Sequence, residues 1–227
     1  MNLRHIIWDF DGTLFDTYPH MARAFQISLK KEYLINENVA EIEKQMRISL
    51  QTAYDYFTEK YELDSGFINK FNDFRNLHEN ANALPFLNAH MVCKFIYQQG
   101  LFNYLHTHRD KTADSMMQKH GFRELFTELV TEENNFPRKP APDGLNYLIE
   151  KYGMNKNEVL YIGDRKIDLE CARAAGVKFC LFAENIKDTV NTGADFAVQN
   201  FSDLYYIIDS LISASAARNE FDYDCEF

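Results

Sequence analysis

Long apolar runs are absent from this 227-residue sequence, and no stretch approaches the ~18–20 apolar residues that cross a bilayer. Dense runs of lysine or arginine are also absent, and the formal net charge is −10. Such an acidic surface repels phosphate backbones and anionic lipids, so we expect neither nucleic-acid nor membrane partners. Asp9 interrupts the N-terminus before a signal peptide's apolar segment could form, which favours a soluble, cytoplasmic protein.

Cysteine is scarce and scattered. Cys93, Cys171, Cys180 and Cys225 lack the paired spacing typical of metal sites, and none lies beside a histidine that could act as its base. We interpret them as buried or incidental thiols in a reducing compartment. With 46% hydrophobic and 26% charged residues, the composition is that of an ordinary globular protein.

Short apolar segments alternate with helical patterns along most of the chain. Strands are predicted at 4–8, 102–106, 159–162 and 177–182, with an edge strand at 196–198, and helices at 87–99, 113–120, 143–152 and 167–175. This alternation predicts an α/β fold with a doubly wound, Rossmann-like parallel sheet.

One long segment breaks the alternation. Residues 18–83 show helical periodicity, little proline or glycine, and no convincing strand. A strand-to-helix connection usually takes ~2–6 residues, so this segment predicts an inserted all-helical cap subdomain that closes over the site. We therefore predict a core of residues 1–15 and 85–212, a cap of residues 16–84, and a frayed C-terminal tail of residues 213–227.

Polar or charged residues mark four separate strand ends, at the edge of an open sheet where ligands bind. They are Asp9-Phe10-Asp11-Gly12-Thr13, then Thr107-His108-Arg109, then Lys139-Pro140, then Gly163-Asp164 with Asp168. The four carboxylates cannot all stay ionised unaided at one rim, and a divalent cation, most simply Mg²⁺, removes the conflict. Together with the charge of Lys139 and the hydroxyl of Thr107, they predict a site for a phosphoryl group.

Spacing within the first motif suggests distinct roles. Asp9 ends the strand and can attack phosphorus as a nucleophile, whereas Asp11 can act as general acid and then as general base. His108 and Arg109 could contact the substrate or hold the second loop, and Arg109 could equally pair with a structural carboxylate. Taken singly, each motif also fits an ordinary turn or helix cap.

In their order and strand-end placement, these four motifs resemble the signature of the haloacid dehalogenase superfamily. The helical insert resembles the C1 cap of its phosphoglycolate phosphatase-like branch. The resemblance implies Asp9 as nucleophile, Asp11 as acid/base, and Thr107 and Lys139 as phosphoryl ligands. It further implies that Asp9, the Asp11 backbone carbonyl, Asp164 and Asp168 hold Mg²⁺.

We therefore predict a Mg²⁺-dependent phosphatase for a small phosphorylated metabolite. Phosphoglycolate is the first candidate, followed by a sugar phosphate, a nucleoside monophosphate or pyrophosphate. A phosphosugar mutase of the β-phosphoglucomutase type is the nearest alternative. A non-enzymatic phosphoacceptor or binding protein is a more distant one, against which the intact set of motifs argues.

Overall fold

A computed structural model describes residues 1–185 and 192–223, with side chains described as far as residue 213 except at 77, 80 and 81. The described strands are β1 (His5–Trp8), β2 (Phe102–His106), β3 (Phe126–Val130), β4 (Val159–Gly163), β5 (Lys178–Phe182) and β6 (Phe196–Val198). They form one sheet in the order β3-β2-β1-β4-β5-β6, and every neighbouring pair is parallel. The predicted doubly wound α/β class is confirmed.

The described α-helices comprise five that follow one another between β1 and β2, where the sequence predicts the insert and one core helix, and four that lie between or after later strands. They are α1 (Tyr18–Tyr33), α2 (Val39–Ile48), α3 (Leu50–Tyr61), α4 (Phe67–Asn82), α5 (Ala89–Gln98), α6 (Thr112–Lys119), α7 (Asp143–Lys151), α8 (Lys166–Ala175) and α9 (Phe201–Tyr223). None of these helices is both long and apolar enough to span a membrane.

The central strands are apolar because both faces of a parallel sheet are covered. His5 of β1 pairs with Phe102 on one side and with Val159 on the other, and all five residues of β4 are buried. Ile7 and Tyr161 belong to one apolar cluster that also includes side chains of α7 and α8. This packing fixes the strand ends at which the polar motifs begin.

Strand β3 was not among the predicted strands. Its sequence, Phe-Thr-Glu-Leu-Val, contains two consecutive polar residues, and its middle three positions are exposed or half-buried. As an edge strand it pairs only with β2 in the described sheet. It therefore lacks the continuous apolar run by which the central strands are recognised.

The chain divides into two compact units, one of Met1–Leu14 with Pro85–Phe227 and one of Phe15–Leu84. The second unit is all-helical, as predicted, and its core is aromatic. The Phe25 ring lies 4.8 Å from that of Phe67 and 5.3 Å from that of Phe71, measured between centroids. At its two ends, the Asp16 amide donates a hydrogen bond to the Leu84 carbonyl oxygen.

The prediction of a frayed tail is wrong for residues 213–223, because α9 continues through Tyr223. Residues 213–219 lack an apolar stripe but are rich in alanine, the strongest helix former, so backbone propensity favours the helix there. Residues 224–227, including Cys225, lie outside the described part of the chain. The other three cysteines are buried and unpaired, as predicted.

Candidate active site

The loop after β1 begins with a buried carboxylate. Asp9 is 1% exposed, and its amide donates to the Ile162 carbonyl oxygen at 2.8 Å, which extends the pairing of β1 with β4. Gly12 has φ of +77°, a left-handed conformation that a side chain would strain. This turn lets the chain reverse within the predicted Asp9–Thr13 motif.

The loop after β4 brings Asp168 against the end of that strand. A Cβ atom on Gly163 would lie 2.6 Å from the Asp168 Cβ, so only glycine permits this approach. The Asp168 Oδ2 atom accepts a hydrogen bond from the Arg165 amide at 3.1 Å, which fixes the carboxylate at the start of α8. Thr13 Oγ1 lies 3.5 Å from Asp164 Oδ1, at the outer limit of a hydrogen bond.

Lys139 joins the first and fourth motifs. Its ammonium lies 2.5 Å from Asp9 Oδ1 and 2.8 Å from Asp168 Oδ1, and the side chains of Lys139 and Asp168 are fully buried. The Tyr161 hydroxyl donates to the same Asp168 oxygen at 3.3 Å. One cation thus lies between two buried carboxylates that are distant in the sequence.

The three buried charges are unequally compensated. Burial raises the pKa of Asp9 to about 6, although the Lys139 ammonium opposes the shift. Burial would raise the pKa of Asp168 too, but the charges of Lys139 and Arg165 outweigh it and lower that pKa. Burial would lower the pKa of Lys139, whereas its two carboxylate partners raise it. Asp9 is therefore the carboxylate that most needs a further positive charge.

A divalent cation would supply that charge. Asp9 Oδ2 is buried and has no hydrogen-bond partner among the described residues. Carboxylate oxygens of Asp9, Asp164 and Asp168 all lie within 4.8 Å of one another. An all-oxygen set of this kind fits Mg²⁺. The contribution of the Asp11 backbone carbonyl stays a prediction.

The second motif is held tightly to the end of the sheet. Thr107 is 3% exposed, and its amide donates to the Val130 carbonyl oxygen at 2.9 Å. Its hydroxyl oxygen accepts the Arg109 amide at 3.1 Å. The predicted phosphoryl contact of Thr107 stays a prediction.

His108 connects the second motif to the third. Its Nε2 atom accepts the Lys139 backbone amide at 2.6 Å. Burial, reinforced by the nearby charges of Lys139 and Arg138, lowers the pKa of His108 to about 3. The imidazole is therefore neutral near pH 7, as this hydrogen bond requires. The sequence predicted that His108 either contacts the substrate or holds the second loop. This contact favours the second role, and a substrate contact by His108 stays a prediction.

The partner of Arg109 is the carboxylate predicted to act as acid/base. Its Nη2 atom lies 2.9 Å and its Nε atom 3.2 Å from Asp11 Oδ1. The guanidinium is buried, with the side chain 1% exposed, while that of Asp11 is 19% exposed. The sequence allows Arg109 either to bind substrate or to form a structural ion pair. A pair with Asp11 was not anticipated, and a substrate contact by Arg109 stays a prediction.

Sequence reasoning also missed Tyr161 and His106. Both are buried, and the Tyr161 hydroxyl lies 3.3 Å from His106 Nδ1 as well as from Asp168. In the sequence, each is a ring with a polar atom in an otherwise apolar strand. Ordinary core packing produces the same pattern.

Within the helical unit, Arg47 pairs with Glu43 at 2.7 Å and lies over the Tyr18 ring. Arg23 donates to Gln26 on the same helix. These contacts are local to the helical unit and do not identify a substrate.

The sequence of this chain matches a known protein family. Residues 6–182 match the family described as haloacid dehalogenase-like hydrolase. Phosphoglycolate phosphatase from Aliivibrio fischeri is 25% identical over 186 residues, which cover 77% of this chain and 82% of that protein. Pyrophosphatase PpaX from Oceanobacillus iheyensis is 23% identical over 214 residues, covering 92% and 98% respectively.

A solved structure of a hydrolase is also similar to this chain. The crystal structure of a hydrolase from Streptococcus pneumoniae superposes with a TM-score of 0.62 at 31% identity. The match covers 81% of this chain and 94% of that one.

Proposed function

Because this chain belongs to the haloacid dehalogenase-like hydrolase family, we propose that it is a Mg²⁺-dependent phosphatase acting through an aspartyl-phosphate on Asp9. The observation that carries the proposal is the environment of that carboxylate. One Asp9 oxygen contacts Lys139, while the other is buried without a partner among the described residues. This environment supports Asp9 as the nucleophile and Lys139 as its countercharge.

In the first half-reaction, an Asp9 oxygen forms a bond to phosphorus and the bond to the leaving oxygen breaks. Asp11 donates its proton to that oxygen, so a phosphate monoester releases an alcohol and pyrophosphate would release phosphate. The Lys139 ammonium and the Thr107 hydroxyl would neutralise and orient the phosphoryl oxygens.

In the second half-reaction, water attacks phosphorus and Asp11 takes up the proton that the water loses. The bond between phosphorus and Asp9 breaks, which releases phosphate and restores Asp9 as a carboxylate and Asp11 as a protonated carboxylic acid. Asp9, Asp164 and Asp168, with the Asp11 backbone carbonyl, would hold Mg²⁺, which neutralises charge on the phosphoryl group when bound.

The substrate class follows from the chemistry of this site and from the named relatives. The charged groups recognise a phosphoryl group, and the site alone selects no leaving group. Phosphoglycolate is our first candidate, and pyrophosphate, a sugar phosphate and a nucleoside monophosphate follow. The relatives named above are a phosphoglycolate phosphatase and a pyrophosphatase.

Phosphate release from these compounds, each with Mg²⁺ and with EDTA, tests the proposal. A metal-dependent substrate with kcat/KM near or above ~10⁴ M⁻¹s⁻¹ would identify the function. Transfer of the phosphoryl group to a second sugar hydroxyl, with no free phosphate, would identify a mutase instead. A long-lived phosphoprotein with negligible turnover would favour a phosphoacceptor.

A further inference from the structure

We infer that Arg109 is a positioning residue, which holds the Asp11 carboxyl group where it can deliver its proton to the leaving oxygen. The inference rests on the proposed function and assigns a task to a residue that the reaction scheme above does not use. It concerns leaving-group departure, since that is the step in which Asp11 donates its proton.

Two nitrogens of one guanidinium contact Asp11. Arg109 Nη2 lies 2.9 Å from Asp11 Oδ1, and Nε lies 3.2 Å from Oδ1 and 3.4 Å from Oδ2. A planar guanidinium that approaches a carboxylate along one edge fixes its orientation as well as its charge. A lysine ammonium would supply the charge but not the orientation.

The guanidinium is itself held from several sides. Its Nη1 atom donates to Thr112 Oγ1 at 3.3 Å and lies 3.6 Å from Met116 Sδ, both on α6. Its central carbon lies 5.1 Å from the centroid of the Phe10 ring. With the side chain 1% exposed, the cation cannot swing freely into solvent. The α6 helix therefore acts through Arg109 on the position of Asp11.

Within the second motif, Arg109 also contacts Thr107 through its backbone. The Arg109 amide donates to Thr107 Oγ1, so one residue contacts both the predicted acid/base and a predicted phosphoryl ligand. This arrangement couples the proton donor to the group that would orient the phosphoryl oxygens. Proton transfer depends steeply on donor position, which makes such coupling consequential.

A positioning role predicts an effect that depends on the leaving group. An alkyl phosphate releases a strongly basic oxygen that needs a proton, whereas p-nitrophenyl phosphate releases a phenolate that leaves unprotonated. Since kcat/KM reports the steps through leaving-group departure, the later attack of water does not enter it. The two esters thus separate proton delivery from binding of the phosphoryl group.

The test compares Arg109→Met with the unmodified full-length protein in Mg²⁺, using glycerol 2-phosphate and p-nitrophenyl phosphate. We expect kcat/KM to fall about 10²- to 10⁴-fold for the alkyl ester and less than about tenfold for the aryl ester. Arg109→Lys should give a smaller loss with the same selectivity. If the methionine variant does not fold, the lysine variant provides the test.

A double-mutant cycle tests whether Arg109 acts through Asp11. Once Asp11→Asn has removed the proton donor, adding Arg109→Met should change kcat/KM for the alkyl ester by no more than about threefold. Arg123→Met is a matched control, because Arg123 is partly exposed and pairs with Asp114 outside the site. It should leave both esters unaffected.

The outcomes separate the inference from the proposed function. An equal loss for both esters, no loss for either, or full additivity in the cycle would overturn the role of Arg109 while phosphatase activity stands. A rise in KM for both esters would instead indicate that Arg109 binds the phosphoryl group. No phosphate release by the unmodified protein, either from these esters or from the compounds named under the proposed function, would overturn the proposed function and this inference with it.

Discussion

The Nζ atom of Lys139 lies 2.5 Å from the Oδ1 atom of Asp9, although 130 residues separate them in the sequence. Both side chains are almost completely buried, so this contact exists only because the ends of two loops meet at one edge of the sheet. It joins the proposed nucleophile to the cation that would neutralise a phosphoryl group.

Replacing Lys139 by methionine should destabilise the metal-free protein. Asp9 and Asp168 would remain buried without their shared cation, and removing one partner of a buried ion pair costs about 3–5 kcal/mol. Chemical denaturation in EDTA at mildly alkaline pH measures the change. Combining Lys139→Met with Asp168→Asn should recover part of the loss.

The matched control is Lys166→Met, at an exposed position on α8 that pairs only loosely with Glu170. It should change the free energy of unfolding by less than about 0.5 kcal/mol. Equal stability of the two single variants would contradict the account of Lys139.

Asp9→Asn should abolish turnover while preserving the fold. We expect a loss of at least about 10⁴-fold in kcat, because the amide cannot form the aspartyl-phosphate. Burial raises the pKa of Asp9 to about 6, so an ionised carboxylate is not a source of stability there in the absence of metal. The thermal midpoint in EDTA should therefore stay within about 4 °C of that of the unmodified protein, or rise. Retained activity with an unchanged midpoint would remove Asp9 as nucleophile.

Removing the metal should abolish the phosphatase activity. EDTA should abolish phosphate release and excess Mg²⁺ should restore it, while Mg²⁺ also raises the thermal midpoint by binding the folded state. Asp164→Asn should increase the Mg²⁺ concentration for half-maximal activity at least about tenfold. The exposed Asp203→Asn change on α9 serves as control and should leave that concentration unchanged. Full turnover in EDTA would contradict the metal's proposed role.

His108 should make the folded state sensitive to acid. Burial, followed by the charges of Lys139 and Arg138, lowers its pKa from 6.5 to about 3. As the pH falls below 6.5, the unfolded chain binds a proton that the folded chain cannot, so the free energy of unfolding decreases between pH 6.5 and about 3.

His108→Asn removes this proton uptake and keeps a side-chain oxygen that can accept the Lys139 amide. Denaturation curves over that pH range should be flatter for the variant. The buried His106, whose pKa burial also lowers, contributes equally to both proteins and cancels in the comparison. Parallel pH dependences would show that His108 is not held neutral.

The fold was largely predictable because its central strands are locally distinctive. Val159–Gly163 is buried at every position and reads as an apolar run followed by Gly163-Asp164. The edge strand Phe126–Val130 was missed because polar residues interrupt its apolar run, and its middle three positions are exposed or half-buried. Helix α9 was not among the predicted helices, and its last part was taken for a tail because residues 213–219 contain alanines but no apolar stripe.

The residues gathered at the site were predictable in part, because carboxyl ends of parallel strands meet at one edge. Their individual partners were not. Arg109 lies 98 residues from Asp11, and the His108 ring contacts a backbone amide 31 residues away. No local pattern encodes such contacts, since they depend on how the loops pack after the sheet has formed.

The stereochemical course at phosphorus tests the central claim most directly. A phosphoryl group that passes to Asp9 and then to water is displaced twice in line, and each displacement inverts phosphorus. Turnover of an isotopically chiral phosphorothioate ester in labelled water should therefore give net retention of configuration. Net inversion would mean that water attacks the substrate directly, and it would contradict an aspartyl-phosphate on Asp9.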